Sequence, residues 1–483
     1  MKHILPFLLV LLLSAGAHAQ EAAQSFTLEQ CIEYALKNSI NAQNATIDEY
    51  IAAARVKETV GLGLPQISGD ASVVHNQKLS RFFSTYATAQ GFAGKDANGN
   101  PNLDVPGLKP TDILASQNFF QLKSGGNASL SINQLIFSGS YLVGLQAAST
   151  YKDLAAKTSD QTKEQVIQQV TKAYYGVLIN KERTELFTNN IARLDTLLRN
   201  TKALNQNGFA ESIDVDRIRV AYNNLLAERD KFLNLNQLGL ELLKFQMNYP
   251  NGQVIDVVGN IQDVVVDINP GNYKEEWDYK DRPDYKVLEV NRRLQELNIK
   301  NQYAGAVPSI AAFASMGYST QSSNVSGIFK TNTNYEDNGI VGPDKWYNFS
   351  QFGVSMNIPI FSGLQRHYKI QQEKLTLQKI DNGFKSMKNA IDLDIAQSSI
   401  MFENALKSLT AQKENQELAS NIARITKIKY EQGVGSNLEV VDAENGLRTA
   451  QTNYYSALFD AMVAKVDLDK AYGKLLPSIT NEK

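Results

Sequence analysis

Ser131-Ile132-Asn133-Gln134-Leu135-Ile136-Phe137-Ser138-Gly139 returns 224 positions later as Ser355-Met356-Asn357-Ile358-Pro359-Ile360-Phe361-Ser362-Gly363. Gly208-Phe209-Ala210-Glu211-Ser212-Ile213-Asp214-Val215 returns at an offset of 225 as Gly433-Val434-Gly435-Ser436-Asn437-Leu438-Glu439-Val440. Upstream, Leu64-Pro65-Gln66-Ile67 parallels Val307-Pro308-Ser309-Ile310. Order and spacing agree, so the chain is built twice on one plan. Any fold proposed for it has to accommodate two similar halves.

Each half reads as helix, strand, loop, strand, very long helix, glycine-containing turn and helix. The strands alternate. Leu130, Ile132 and Ile136 are assigned to one face, with Ser129, Ser131 and Asn133 on the other. In the second half Phe352, Val354, Met356, Ile358 and Ile360 oppose Gly353, Ser355 and Asn357. The leading strands carry Ile67, Gly69, Ala71 and Val73, then Ile310, Ala312, Ala314 and Met316. Roughly ten alternating residues per segment fit a transmembrane β-barrel with apolar side chains outward. A half-buried soluble sheet alternates in the same way.

The helices separate these readings. Residues 140–206 contain no proline and two glycines, Gly144 and Gly176, and residues 364–432 match them in the second half. Fully helical, 67 residues reach about 100 Å. Phe402, Leu406 and Leu409, then Leu418, Ile422 and Ile425, repeat by threes and fours as in coiled-coil packing. The other faces are rich in Gln, Asn, Ser, Thr and Lys, which suits the wall of a wet tube better than a globule. Four strands cannot close a barrel, and lipid tolerates no open sheet edge. The sheet must therefore be completed by further copies, with eight, twelve or sixteen strands all open to it.

Bulk properties set the surroundings. Lys2 and His3 precede an apolar run from Ile4 to Leu13, and Ala17-His18-Ala19 supplies a small-x-small cleavage pattern, so residues 1–19 read as a removed signal peptide. One cysteine, Cys31, forbids an internal disulfide. No later run is apolar enough for a membrane-spanning helix. Without Lys2 there remain 47 basic against 50 acidic side chains, which gives no reason to expect nucleic acid. The remaining divisions are a first repeat at 20–250, a linker at 251–281, a second repeat at 282–476 and a tail at 477–483.

Phe26-Thr27-Leu28-Glu29-Gln30-Cys31-Ile32-Glu33-Tyr34-Ala35-Leu36-Lys37-Asn38 resembles the N-terminal signature of the TolC-like outer-membrane efflux proteins. Leu64-Pro65-Gln66, Arg282-Pro283-Asp284, the paired Phe-Ser-Gly segments and Tyr430-Glu431-Gln432-Gly433 are similar too. The resemblance covers nearly the whole mature chain. It implies a homotrimer in outer-membrane lipid, with a twelve-stranded barrel and an α-helical periplasmic tunnel. It also implies partners, an inner-membrane transporter and a periplasmic adaptor, in an efflux or type I secretion system. The two other readings are a periplasmic coiled-coil adaptor without a barrel and a passive porin.

The same resemblance places a periplasmic gate or selectivity ring at Glu439 and Asp442, with Tyr430 holding the entrance closed and Asp214 as an acidic partner. Glu439 has a second explanation, because Ser436-Asn437-Leu438-Glu439 reads as a capping box. The basic gate residue of the family is missing, since Gly435 stands there. Long connections at 76–126 and 319–350 carry Phe82, Phe83, Tyr86, Phe92, Tyr335, Trp346 and Tyr347, as external barrel loops do. Asp96-Ala97-Asn98-Gly99-Asn100 begins like a calcium loop, but Pro101 occupies the glycine position, so it reads as a polar turn. Beyond residue 19 only His75 and His367 remain, with no phosphate-binding glycine loop and no metal-ligand spacing. An enzyme and a bound cofactor are therefore not expected.

Overall fold

The computed structural model describes residues 24–117, 121–259, 261, 277–330, 332–334 and 345–476. The segments 1–19 and 477–483, most of the linker, and Tyr335 lie outside the described residues. The helices are α1 (Leu28–Asn38), α2 (Ile40–Gly61), α3 (Tyr86–Ala93), α4 (Gly139–Gln206), α5 (Ser212–Met247), α6 (Pro283–Ala304), α7 (Val325–Ile328), α8 (Gln365–Glu431) and α9 (Asn437–Ala471). The strands are β1 (Gln24–Phe26), β2 (Gln66–His75), β3 (Arg81–Thr85), β4 (Ile113–Gln117), β5 (Ser124–Phe137), β6 (Ile255–Val257), β7 (Ser309–Ser322), β8 (Asn332–Asn334) and β9 (Lys345–Asn357). The two long helices hold 68 and 67 residues, as the proline-free stretches require. Among the described residues no helix is long and apolar enough to cross a membrane.

The chain divides into two compact units, and each draws on both repeats. One, residues 56–146 and 299–370, holds the sheet. Its strand order is β2-β5-β7-β9, antiparallel throughout, with the three-residue β8 parallel to the start of β9. The register sorts the two faces. Ile67 pairs with Ile132, Ile132 with Ala314, and Ala314 with Phe352. On the other face Ser68 pairs with Ser131, Ser131 with Ser315, and Ser315 with Gln351. The apolar face lies open, with Phe352 90% and Val354 66% exposed. The outer edge of β2 and most of that of β9 carry no strand among the described residues.

Ile136 departs from the expected alternation. The β5–β7 register shifts between Leu135 and Phe137, so that Phe137 takes the place opposite Ile310 and Ile136 becomes the extra residue of a bulge. A strict period of two cannot foresee an inserted residue. The duplicated Phe-Ser-Gly segments also part company. Gly139 opens its helix directly, whereas Gly363 and Leu364 both sit at positive φ before α8 begins. The connection after β2 has structure of its own. A β3–β4 hairpin carries α3, and the Tyr86 hydroxyl donates to Asp104 and accepts from the Val105 amide. Asp96 accepts from the amides of Asn98 and Asn100, which makes the polar turn expected there.

The helical unit covers residues 24–55, 147–298 and 371–476 of the described chain. Thr27 explains the N-terminal signature. It caps α1 by accepting from the Gln30 amide while the Gln30 side chain accepts from the Thr27 amide. Cys31, Ile32 and Ala35 then fall on one buried face of the helix. They join a core with Val170, Val177, Leu243, Met247, Phe402, Met462 and Tyr472. A second cluster gathers Phe187, Ile191, Leu194, Ile218, Leu225, Phe232 and Val441. The predicted seam of α8 is only half buried within one chain. Phe402 is enclosed and Leu406 and Leu409 pack on the core, but Leu418, Ile422 and Ile425 are exposed. Periodicity identified the apolar stripe without saying how much of it one chain can cover.

Candidate functional site

The two glycine turns are built alike. Gly208 and Gly433 both take positive φ, which favours glycine. The amide of Phe209 donates to Leu204 carbonyl, and that of Val434 to Lys429 carbonyl, 225 residues apart. Both bonds reach back five residues and close the end of a long helix by the same motif. Each turn then starts the returning helix, α5 or α9.

Glu439 and Asp442 stand on the first turns of α9 and line one open cleft of about 440 Å³ with Ala419, Ile422, Thr426 and Lys429 of α8. Their spacing of three places them on one helix face. The capping box is only half formed. Ser436 Oγ accepts from the Glu439 amide at 3.2 Å, but the reciprocal carboxylate bond is absent. The Glu439 side chain therefore faces the cleft without that structural task. Lys429, which the sequence reading passed over, brings a positive charge to the same groove.

Tyr430 and Asp214 behave differently. The Tyr430 hydroxyl lies 3.3 Å from Thr201 Oγ1 of α4, and Thr201 is fully buried. Asp214 sends its carboxylate to Arg217 on its own helix at 3.5 Å. Its carbonyl accepts from Asn437 Nδ2 at 3.1 Å. It thus meets the second repeat through its backbone rather than its charge. Gly435 has a steric reason to be glycine, because a Cβ there would sit 3.0 Å from the Tyr430 nitrogen. A side chain at that position would require the preceding turn to give by a few tenths of an ångström, so the local packing favours glycine there.

Above the turns a polar ladder joins α4 to α9. Arg193 Nη2 donates to Glu444 Oε2 at 3.2 Å and to Asn190 Oδ1 at 2.6 Å. Asn190 Nδ2 donates to Gln451 Oε1 at 3.2 Å, and Arg183 Nη2 to Ser456 Oγ at 2.6 Å. Each such bond nets about 0.5–1.5 kcal/mol, so the repeats are held in register by links that can separate one at a time. Residues seven apart on α4, such as Arg183 and Asn190, were a possible signal, but polar ladders leave no hydrophobic period to read.

Residues 279–474 match the model of the family described as outer membrane efflux protein. That match spans the second repeat. The chain is 27% identical over 195 residues to the solvent efflux pump outer membrane protein SrpC of Pseudomonas putida, a span of 40% of this chain and 37% of that protein. The chain therefore matches little more than a third of that relative's length. It is 20% identical over 353 residues to the outer membrane protein TolC of Vibrio cholerae, covering 72% of this chain and 77% of that one. The open state of the MtrE outer membrane channel of Neisseria gonorrhoeae superposes with a TM-score of 0.66 at 18% identity, over 93% of this chain and 89% of that one. Sequence similarity to that family thus lies in the second repeat, while likeness of fold to the MtrE channel extends over nearly the whole chain.

Proposed function

We propose that the chain is the outer-membrane exit channel of a tripartite efflux or type I secretion system, receiving substrates from an inner-membrane transporter through a periplasmic adaptor. The observation that carries this reading is the sheet. Four antiparallel strands of 10, 14, 14 and 13 residues expose an apolar face and leave two long edges open. Strands of nine or more residues are long enough to cross the bilayer, and an open edge in lipid leaves backbone groups unpaired. Three copies bring twelve strands and close β2 of one against β9 of the next. Lipid then covers Ile132, Phe352, Val354 and Met356, while Ser131, Asn133, Ser355 and Asn357 line water. The helical unit stands in the periplasm. An adaptor without a barrel has no use for such strands.

At the mouth, three copies of Glu439 and Asp442 gather six carboxylates, with three Lys429 ammonium groups beside them. The surplus negative charge in a narrow passage attracts cations and repels anions. Tyr430 and Asp214, through Thr201 and Asn437, hold the two hairpins of each copy together there. The protein does no covalent chemistry in this reading and needs no cofactor. Planar-bilayer recording of the detergent-purified protein tests it. Discrete cation-selective conductance steps are expected, and a protein that folds without detergent and never conducts would exclude the channel.

A further inference from the structure

Buried polar groups of the helical unit differ in whether the fold itself satisfies them. Arg282 is satisfied. Its Nε and Nη2 grip the two oxygens of Asp284 at 3.1 and 2.8 Å, and its Nη1 donates to Asp394 Oδ2 at 2.7 Å and to the Ala471 carbonyl at 3.1 Å. One guanidinium so joins the start of α6, the middle of α8 and the end of α9. Ser159 of α4 is not satisfied. It is 1% exposed, and its Oγ has no hydrogen-bond partner among the described residues. A buried hydroxyl in that state calls for a guest, either a solute or a water.

Ser159 borders a solvent-open cleft of about 560 Å³ between α2 and α4. Two polar stripes line the cleft, Asn41, Asn44 and Asp48 on α2 and Thr158, Thr162, Gln165 and Gln169 on α4. Both step by threes and fours, which keeps each stripe on one helix face. Ala45 and Val166, both buried, give the cleft an apolar floor.

The hydrogen-bonding groups of the cleft are lopsided towards acceptors. Thr158 Oγ1 donates to the Leu154 carbonyl at 3.0 Å and Thr162 Oγ1 to the Thr158 carbonyl at 3.1 Å. Each hydroxyl has thus spent its one proton and leaves only lone pairs for a guest. An ionised Asp48 can only accept. It has no ion-pair partner among the described residues, and Lys163 pairs instead with its neighbour Glu49 at 3.6 Å. Asp48 is also the one acid or base in the lining. At the Tyr151 end the Arg55 guanidinium lies over the ring, 5.1 Å from its centroid. That fixed cation opposes a second positive charge, so the cleft suits a single one.

We propose that this cleft binds a protonated primary amine, its ammonium donating to the Asp48 carboxylate and to threonine and carboxamide oxygens, its hydrocarbon body resting on Ala45 and Val166. As a class of exported substrate it rests on the channel reading, since only an export route turns a bound solute into cargo. The need for donors separates this site from one that accepts any cation. A quaternary ammonium keeps the charge but has no N–H to give. A neutral sugar brings donors but leaves the Asp48 charge unmet.

Saturation-transfer NMR of butylammonium with the intact, detergent-purified protein tests the site. A background of Glu439→Gln with Asp442→Asn removes the acids of the mouth, so that saturable binding reports on the cleft. If that background fails to fold, the difference between wild type and Asp48→Asn serves instead. Butylammonium should bind saturably, and Asp48→Asn should weaken it about tenfold, as loss of a charge-assisted hydrogen bond does. Butyltrimethylammonium should bind about tenfold more weakly than butylammonium to the same protein. Thr158→Trp, at an exposed position, should fill the cleft and abolish binding with Asp48 still present. Equal affinity with and without the Asp48 carboxylate, equal affinity for the two ammonium ions, or tighter binding of a neutral disaccharide overturns the proposal. A protein that conducts in planar bilayers but fails these titrations loses the amine site alone. One that passes them and never conducts loses the channel and keeps the site.

Discussion

Replacing Phe352 by arginine is the sharpest test of which sheet face meets lipid. β9 runs from Lys345 to Asn357, so Phe352 lies one residue past its middle, on the apolar face and 90% exposed in the single chain. Each residue of a strand tilted by about 45° climbs roughly 2.4 Å. Phe352 then sits within about 3 Å of mid-bilayer and Val354 about 7 Å from it. Arginine on the lipid face costs roughly 2–4 kcal/mol at the midplane, falling towards the interfaces. Phe352→Arg should take that full cost in each copy, roughly 6–12 kcal/mol per trimer, and Val354→Arg about half as much. Gln351→Arg and Ser355→Arg put the same charge on the opposite face and should be nearly silent. The assay is the fraction of protein surviving as oligomer on detergent gels over a temperature ramp. Equal losses at 351 and 352 would refute the assignment of faces.

Other outcomes follow from single contacts. Asp442→Asn with Glu439→Gln should abolish cation selectivity and multivalent-cation block in planar bilayers while the oligomer persists; unchanged selectivity would reduce both acids to helix-start residues. Tyr430→Phe leaves the buried Thr201 hydroxyl without this partner, a loss of about 0.5–1.5 kcal/mol. The open-state population should rise by a factor of roughly 2–12 in single-channel records, and no change would mean the bond does not restrain the entrance. Arg282→Ala strips Asp284, Asp394 and the end of α9 of a shared donor and should destabilise the fold by about 3–5 kcal/mol, read as a lower melting temperature. Arg282→Lys should recover only part of that, because an ammonium cannot grip both oxygens of Asp284 as the fork does.

Much of this architecture was legible in the residues. The duplication fixed the element order, the proline-free stretches located both long helices to within a residue or two, and alternation sorted the sheet faces. Local periodicity failed where a residue was inserted, at Ile136, and where Leu418, Ile422 and Ile425 form a stripe that one chain leaves uncovered. At the candidate gate, spacing placed Glu439 and Asp442 on one face correctly. The sequence did not reveal Lys429 beside them, because it arrives from another helix. Thr201 and Asn437 were hidden for the same reason: single polar contacts between repeats carry no period. Arg282 was visible only as a motif, and its role became clear once Asp284, Asp394 and Ala471 were seen to converge on it.

In the proposed assembly the sheet is completed by other copies of the same chain. Native mass spectrometry of the detergent-extracted protein measures this directly. A single species of three times the mature mass is expected, and a stable, membrane-extracted monomer would contradict completion of the sheet by further copies.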